Sequence, residues 1–308
     1  MATKIIPFDA RINGFVVYSS TLIPCLQQIG KQRTAERYIS SLISFIRFRK
    51  GMDIPLHRID SHLIQAYEGF LKSNGVCPNT TSFYMRNLRA IYNRAVEAGF
   101  TKQHNPFKHV YTGIDKTMKR GISAQVVRRV RNLDLSRNPA MDLARDVFMF
   151  SFYTRGMSFV DMAYLRKKDL QNNILTYRRR KTNQQLYIKW EKPMQAIVDK
   201  YDTSNSPYLL PIIKKNGSDK EERRQYINSV HLINKKLKKI GIQLGLTLPL
   251  TTYVARHGWA SIAKSKHVPI STISEAMGHR SEHTTLIYLS SLDTSVIDEA
   301  NQLVLDSI

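Results

Sequence analysis

The chain has 308 residues, with 47 Lys and Arg against 24 Asp and Glu, a formal charge of +23 and a pI of about 10.0. At 42% hydrophobic and 23% charged residues it is too apolar for a disordered basic tail, so the charge belongs to folded surface and a polyanion is the natural partner. Two cysteines exclude a disulfide framework or a Cys-rich zinc site, and no signal-peptide core or membrane-length apolar run is present, which points to a soluble, cytoplasmic protein without membrane partners.

Length predicts two domains, and both are basic: residues 1–110 carry net +9 and residues 111–308 net +14. Two basic lobes on one chain suit a protein that neutralises DNA phosphates from several sides. Tyr38, Leu42, Phe45 and Ile46 recur at helical spacing over 33–50 and stop at Gly51. A second helix starts at Asp60 or Ser61 and closes at Gly75; a third runs from an Asn79 cap to Gly99. Arg86, Arg89 and Arg94 lie off the apolar stripe of that third helix, where they face solvent or DNA. These elements make residues 1–105 a small all-α domain of three or four helices, followed by a linker over 106–121 that holds Pro, Gly and Lys without periodicity.

The second domain, 122–308, opens with a short helix from Ser123. A longer one has Asn138-Pro139 at its start, Gly156 breaks it, and Ser158 with Asp161 caps the next. Residues 174–188, ILTYRRRKTNQQLYI, read as a β-hairpin carrying Arg178, Arg179, Arg180 and Lys181 at its turn. Further helices are predicted at 191–200, 226–240, 252–265, 270–277, 283–290 and 294–305. After residue 281 there are five carboxylates and no Lys or Arg, so this tail should avoid phosphate. The stripe Val296, Ala300, Leu303 and Val304 needs a protein groove instead.

Phosphate-loop, dinucleotide-binding, HExxH and GxSxG motifs are absent, and the nine histidines do not fall at metal-ligand spacings. Chemistry on DNA is therefore expected to need neither ATP, NAD nor metal. The last third carries LTTYVARHGWASIA and EAMGHRSEHTTLIYLSSLD, which contain R-H-x-x-A, then M-G-H, then T-T-x-x-Y. This pattern resembles the C-terminal signature of the tyrosine recombinase, or phage integrase, family. With the hairpin lysine and the helical N-terminal domain, the resemblance spans about residues 8–300, and the wording is most similar to integrases of mobile elements and invertible loci.

The resemblance implies a mainly α fold: a SAM-like core-binding domain and a mixed α+β catalytic domain with a small sheet, closing around DNA. It implies site-specific cutting and rejoining of double-stranded DNA through a 3′-phosphotyrosyl bond, for integration, excision or inversion. Four protomers would act on two sites and exchange the C-terminal tail in trans, with accessory DNA-bending proteins as further partners. With no separate arm-binding domain evident, simple sites such as inverted repeats are expected. Tyr288 takes the nucleophile's place, Arg256 that of the second arginine, His279 that of the second histidine and Lys181 that of the hairpin general acid, while His257 supports the site. Arg178 and Arg180 would track the DNA backbone.

Two positions depart from the family pattern. Tyr253 stands where H-x-x-R places histidine, and Ser158 stands where T-G-[LM]-R places the first arginine. Arg155, three residues earlier, is expected to supply that guanidinium, with Arg180 as competitor and Ser158 as a helix cap. Two other classes remain open at this point: a DNA-binding protein with a decayed site, and a topoisomerase-like enzyme that relaxes supercoils.

Overall fold

The computed structural model describes residues 13–115, 121–289, 301–302 and 304–307. The chain divides into two compact units, 1–116 and 117–308. The fold is mainly helical with one small antiparallel sheet.

The first unit is built from α1 (Phe15–Gln28), α2 (Gln32–Phe48), α3 (Ser61–Ser73) and α4 (Pro78–Glu97). Its core is aromatic: Phe45 meets Phe15 and Tyr67 edge-on, with ring centroids 5.7 and 5.2 Å apart, a geometry that aligns positive ring edges with negative faces. Two of the buried phenols find acceptors within the unit, Tyr67 on Ser44 Oγ at 2.8 Å and Tyr92 on the Lys102 carbonyl at 2.9 Å. The sequence pattern names α2, α3 and α4; α1 escapes it because Pro24 interrupts an otherwise helical run. Asp60 caps α3 as expected, accepting from Leu63 N–H. The cap of α4 is corrected: the helix starts at Pro78, whose missing N–H costs nothing at a first helical position, with Cys77 rather than Asn79 at the cap. Asn79 instead holds the chain beyond the helix, exchanging hydrogen bonds with the Asp115 backbone. The first part of the expected linker is folded onto this unit, with Phe107 and Val110 buried in its core. Residues 116–120 lie outside the described residues.

The second unit runs α5 (Ala124–Arg131), α6 (Pro139–Tyr153), α7 (Phe159–Ala163), β1 (Leu170–Gln171), β2 (Ile174–Arg178), β3 (Gln185–Lys189), α8 (Lys192–Asp199), α9 (Asp219–Gln243), α10 (Thr252–Ser265), α11 (Ile270–Ala276) and α12 (Glu282–Leu289). Helix α6 is central. Val147, Phe148, Met149 and Phe150 are all buried because α8, α9 and α10 cover several of its faces; each such side chain contributes about 1.5–3 kcal/mol of hydrophobic stabilisation. The strands pair in order, antiparallel, with Leu175 opposite Ile188 and Tyr177 opposite Leu186. Helix α9 begins seven residues before the expected 226, because Ser218 and Glu221 form a reciprocal capping box. Of the expected helix at 294–305, residues 301–302 and 304–305 are helical, and the rest of it lies outside the described residues.

Candidate active site

Arg256 lies on the inner face of α10 and is only 3% exposed. A guanidinium has donors alone, so burial obliges it to find acceptors. Nη1 donates to the Gly156 carbonyl at 2.7 Å, and Nη2 donates to the Met277 carbonyl at 2.7 Å and meets His279 Nε2 at 3.0 Å. Three segments distant in sequence thereby converge on one cation. The approach of the α6–α7 turn is close enough that a Cβ on Gly156 would lie 2.8 Å from Arg256 Cα, and Gly156 has φ +75°. Glycine is required there on both counts.

His279 is placed by the end of α11. Gly278, at φ +63°, turns the chain, and His279 N–H returns to the Ser274 carbonyl at 2.9 Å. Because Arg256 can only donate, Nε2 of His279 accepts; the proton therefore sits on Nδ1, which donates to Thr285 Oγ1 at 2.7 Å. Burial, then the neighbouring Arg256, Arg179 and Lys181, push the imidazole down to about 4. At neutral pH His279 is thus an uncharged group that orients Arg256.

The α6–α7 turn carries Arg155 beside this cluster. Gly156 N–H bonds the Ser151 carbonyl and Arg155 N–H the Phe152 carbonyl, a Schellman close to α6. Arg155 occupies its left-handed position, φ +60°, where glycine is usual. The side chain is partly exposed. Its charge reaches the Tyr177 phenol on β2, as do those of Arg256 and Arg179; burial and the Asp161 carboxylate nevertheless hold that phenol above its ordinary range. Three guanidiniums therefore share one neighbourhood.

The hairpin turn is held from two sides. Ser158 caps α7 and donates to Asp161 Oδ2 at 2.6 Å, which leaves Oδ1 to accept Arg180 N–H at 2.9 Å. On the other side Arg179 Nη1 donates to the Gly278 carbonyl, Thr182 Oγ1 reaches the same oxygen at 3.4 Å, and Arg280 donates to the Thr182 carbonyl at 3.1 Å. Lys181 sits exposed at the tip between these anchors.

The structure thus gathers Arg256, His279, Arg155 and Lys181. Tyr288 lies on α12 one turn after Thr285, which is buried against His279; its side chain is outside the described residues. Tyr253 is 54% exposed, one turn before His257, which it meets edge-on at 4.6 Å. Arg178 spends its guanidinium on the Asn183 carbonyl and Gln185 Oε1, and Arg180 stacks 3.7 Å over the Tyr164 ring. Arg86 and Arg89 are exposed and Arg94 half-buried on α4, in the other unit. Arg179, Thr285 and Asp161 join the site beyond what the motifs announced. Strand alternation could have found Arg179: Leu175 and Tyr177 point inward from β2, so position 179 does too. Among the described residues, no group of three or more His, Cys, Asp or Glu could hold a metal ion, and no helix is long and apolar enough to cross a membrane.

Residues 15–112 match the phage integrase SAM-like domain, and residues 126–295 match the phage integrase family model. The chain belongs to the phage integrase family, the tyrosine-type site-specific DNA recombinases. Solved structures of recombinases share the fold at low identity. A lambda integrase tetramer bound to a Holliday junction is 16% identical, with TM-score 0.65 over 92% of this chain and 80% of that one. The XerH recombinase in its post-cleavage complex with palindromic difH is 14% identical, TM-score 0.66, over 98% and 90%. The Tn1549 transposon integrase with circular-intermediate DNA is 14% identical, TM-score 0.62, over 96% and 99%. No curated protein matches the chain.

Proposed function

We propose that this integrase cleaves one DNA strand with Tyr288 and holds the reacting phosphate with Arg256 and Arg155. The observation that carries the reading is the buried Arg256 guanidinium, aimed by two backbone carbonyls and a neutral His279, with Arg155, Arg179 and Lys181 in the same field. Such a cluster offers preorganised donors to the charge that builds on the non-bridging oxygens. Attack forms the Tyr288 Oη–P bond and breaks the P–O5′ bond. The electron pair leaves on O5′, which takes a proton from Lys181, and the phenol proton passes to solvent. The covalent bond conserves the phosphodiester energy, so rejoining needs no nucleotide cofactor.

Specific recombination sites, assembly of four protomers on two sites, docking of the acidic tail on a neighbouring protomer, accessory DNA-bending proteins, and a role in a mobile or invertible element belong to the same proposal. It draws on the family and on the charge contrast between the tail and the rest of the chain. Arg86, Arg89 and Arg94 are proposed to bind DNA phosphates from the helical unit, and Arg178 and Arg180 from the hairpin.

The test is a covalent adduct. A duplex site is first selected from a randomised library on the Tyr288→Phe protein, then presented to the parent and to Tyr288→Phe as a nicked suicide substrate. The parent should form a protein–DNA adduct on a denaturing gel, and Tyr288→Phe should bind the site but form none. An adduct persisting in the Phe protein would overturn the nucleophile assignment, and none from the parent would favour a decayed, DNA-binding role.

A further inference from the structure

Beyond the charge it adds to the cluster, no step described so far is assigned to Arg179, yet it is the one arginine of the 178–180 run that the fold buries, at 6% exposure. Taking a guanidinium out of water is costly unless hydrogen bonds replace its hydration, so its place needs a cause. Its partner is the carbonyl of Gly278, the peptide oxygen immediately before His279. Thr182 reaches the same oxygen, and Arg280 returns a bond to the Thr182 carbonyl. The contact is close: a Cβ on Gly278 would lie 3.0 Å from Leu186 Cδ1 and 3.1 Å from Arg179 Cδ. Lys181 lies between Arg179 and Thr182, so residues on both sides of it are clasped to the turn that presents His279.

We propose that Arg179 is a positioning residue that locks the hairpin turn to the Gly278–His279 peptide and so delivers the Lys181 ammonium to the leaving oxygen. The inference rests on the proposed role of Lys181 as the acid. A lysine at an exposed two-stranded tip would otherwise spread over many rotamers, and a proton donor displaced by about 1 Å can cost 10²-fold in rate. The Arg179 fork fixes the backbone on which that lysine stands.

A leaving group that needs no proton separates this role from others. In a duplex with sulfur in place of the 5′-bridging oxygen, the P–S bond breaks and the electron pair departs on sulfur as a thiolate, without an acid. Single-turnover cleavage of the selected site would be measured with full-length parent, Lys181→Ala, Arg179→Met and Thr182→Val on oxygen and sulfur substrates. General-acid loss typically costs about 10²–10⁴-fold. Lys181→Ala should show that loss on oxygen and recover on sulfur. Arg179→Met should lose about 10²-fold on oxygen and recover to within a few-fold of the parent on sulfur, with Thr182→Val showing the same split in smaller measure. Rescued Lys181→Ala beside an Arg179→Met equally slow on both substrates, or unimpaired on both, would overturn the inference alone. Lys181→Ala that sulfur does not rescue would remove the acid assignment and the inference with it. Should Arg179→Met fail to fold, Thr182→Val carries the test, and no difference between its two substrates relative to the parent would overturn the proposal.

Discussion

Arg256 and Arg155 bring guanidiniums to one neighbourhood under opposite conditions. Arg256 is buried on a helix and held by the Gly156 and Met277 carbonyls and by His279. Arg155 stands partly exposed on a left-handed turn, its backbone fixed by the close of α6. The first is aimed before DNA arrives and also joins three segments of the fold. The second is tied to its place through the backbone at an unfavourable φ, which for a non-glycine residue costs about 1–2 kcal/mol. A structural role and a chemical role are thus fused at Arg256 and separable at Arg155.

Replacement of each arginine measures that separation. Arg256→Ala should lose at least about 10³-fold in single-turnover cleavage, and thermal melting should show about 2 kcal/mol less stability, because two buried carbonyls lose their donors. A catalytically dead Arg256→Ala with unchanged melting would show that the carbonyls are satisfied elsewhere. Arg155→Gly should lose about 10²- to 10³-fold in cleavage while its stability is unchanged or higher by up to about 1 kcal/mol, since glycine relieves the left-handed backbone. An active Arg155→Gly beside a dead Arg180→Ala would move the second clamp to the hairpin.

His279 sharpens the contrast through pH. Its folded value of about 4 lies below the ordinary 6.5, so the unfolded chain binds the extra proton and the folded one does not. Stability from this group is therefore intact above 6.5 and declines as pH falls from 6.5 towards 4. The slope is well below the limit of about 1.4 kcal/mol per pH unit, because the ring is only half-buried and solvent screens it. Urea titrations over that range should show the decline, and His279→Asn should flatten it. Cleavage by the parent should show no limb near pH 6.5; such a limb, absent in His279→Asn, would mean that the imidazole titrates normally and that its charge takes part. The smallest effect is expected at Ser158, where alanine removes a cap and the hydroxyl that orients Asp161. A loss of about 1 kcal/mol in melting with cleavage within a few-fold of the parent is the outcome for a cap. A cleavage loss matching that of Arg155→Gly would make Ser158 part of the phosphate site.

The residues of the site differed in how far they could be read before the fold. Arg256, His279 and Tyr288 fall at motif spacings within 33 residues, and α11 with its glycine turn brings His279 to Arg256 locally. Arg155 and Lys181 lie 75 or more residues before Arg256, and nothing in spacing relates them to it. Asp161 reads as an ordinary capping partner, yet its second oxygen receives the hairpin turn. Arg179 is one of three consecutive arginines, and composition cannot distinguish the buried one from its neighbours.

Charge, helix periodicity, caps such as Asp60 and Ser158, the β-hairpin and the motif spacings are local properties, and the sequence alone determined them: each depends on residues within a few turns of one another. It likewise determined the chemical inventory, a phenol, several guanidiniums and an ammonium on a basic chain. Which cations face one another was decided only by tertiary structure. Burying Arg256 required acceptors, and the nearest were backbone carbonyls of Gly156 and Met277, which sequence spacing cannot identify. The same convergence set the charge state of His279: burial and the surrounding cations lower its proton affinity, and they meet at the imidazole only because α10, the end of α11 and the hairpin turn come together.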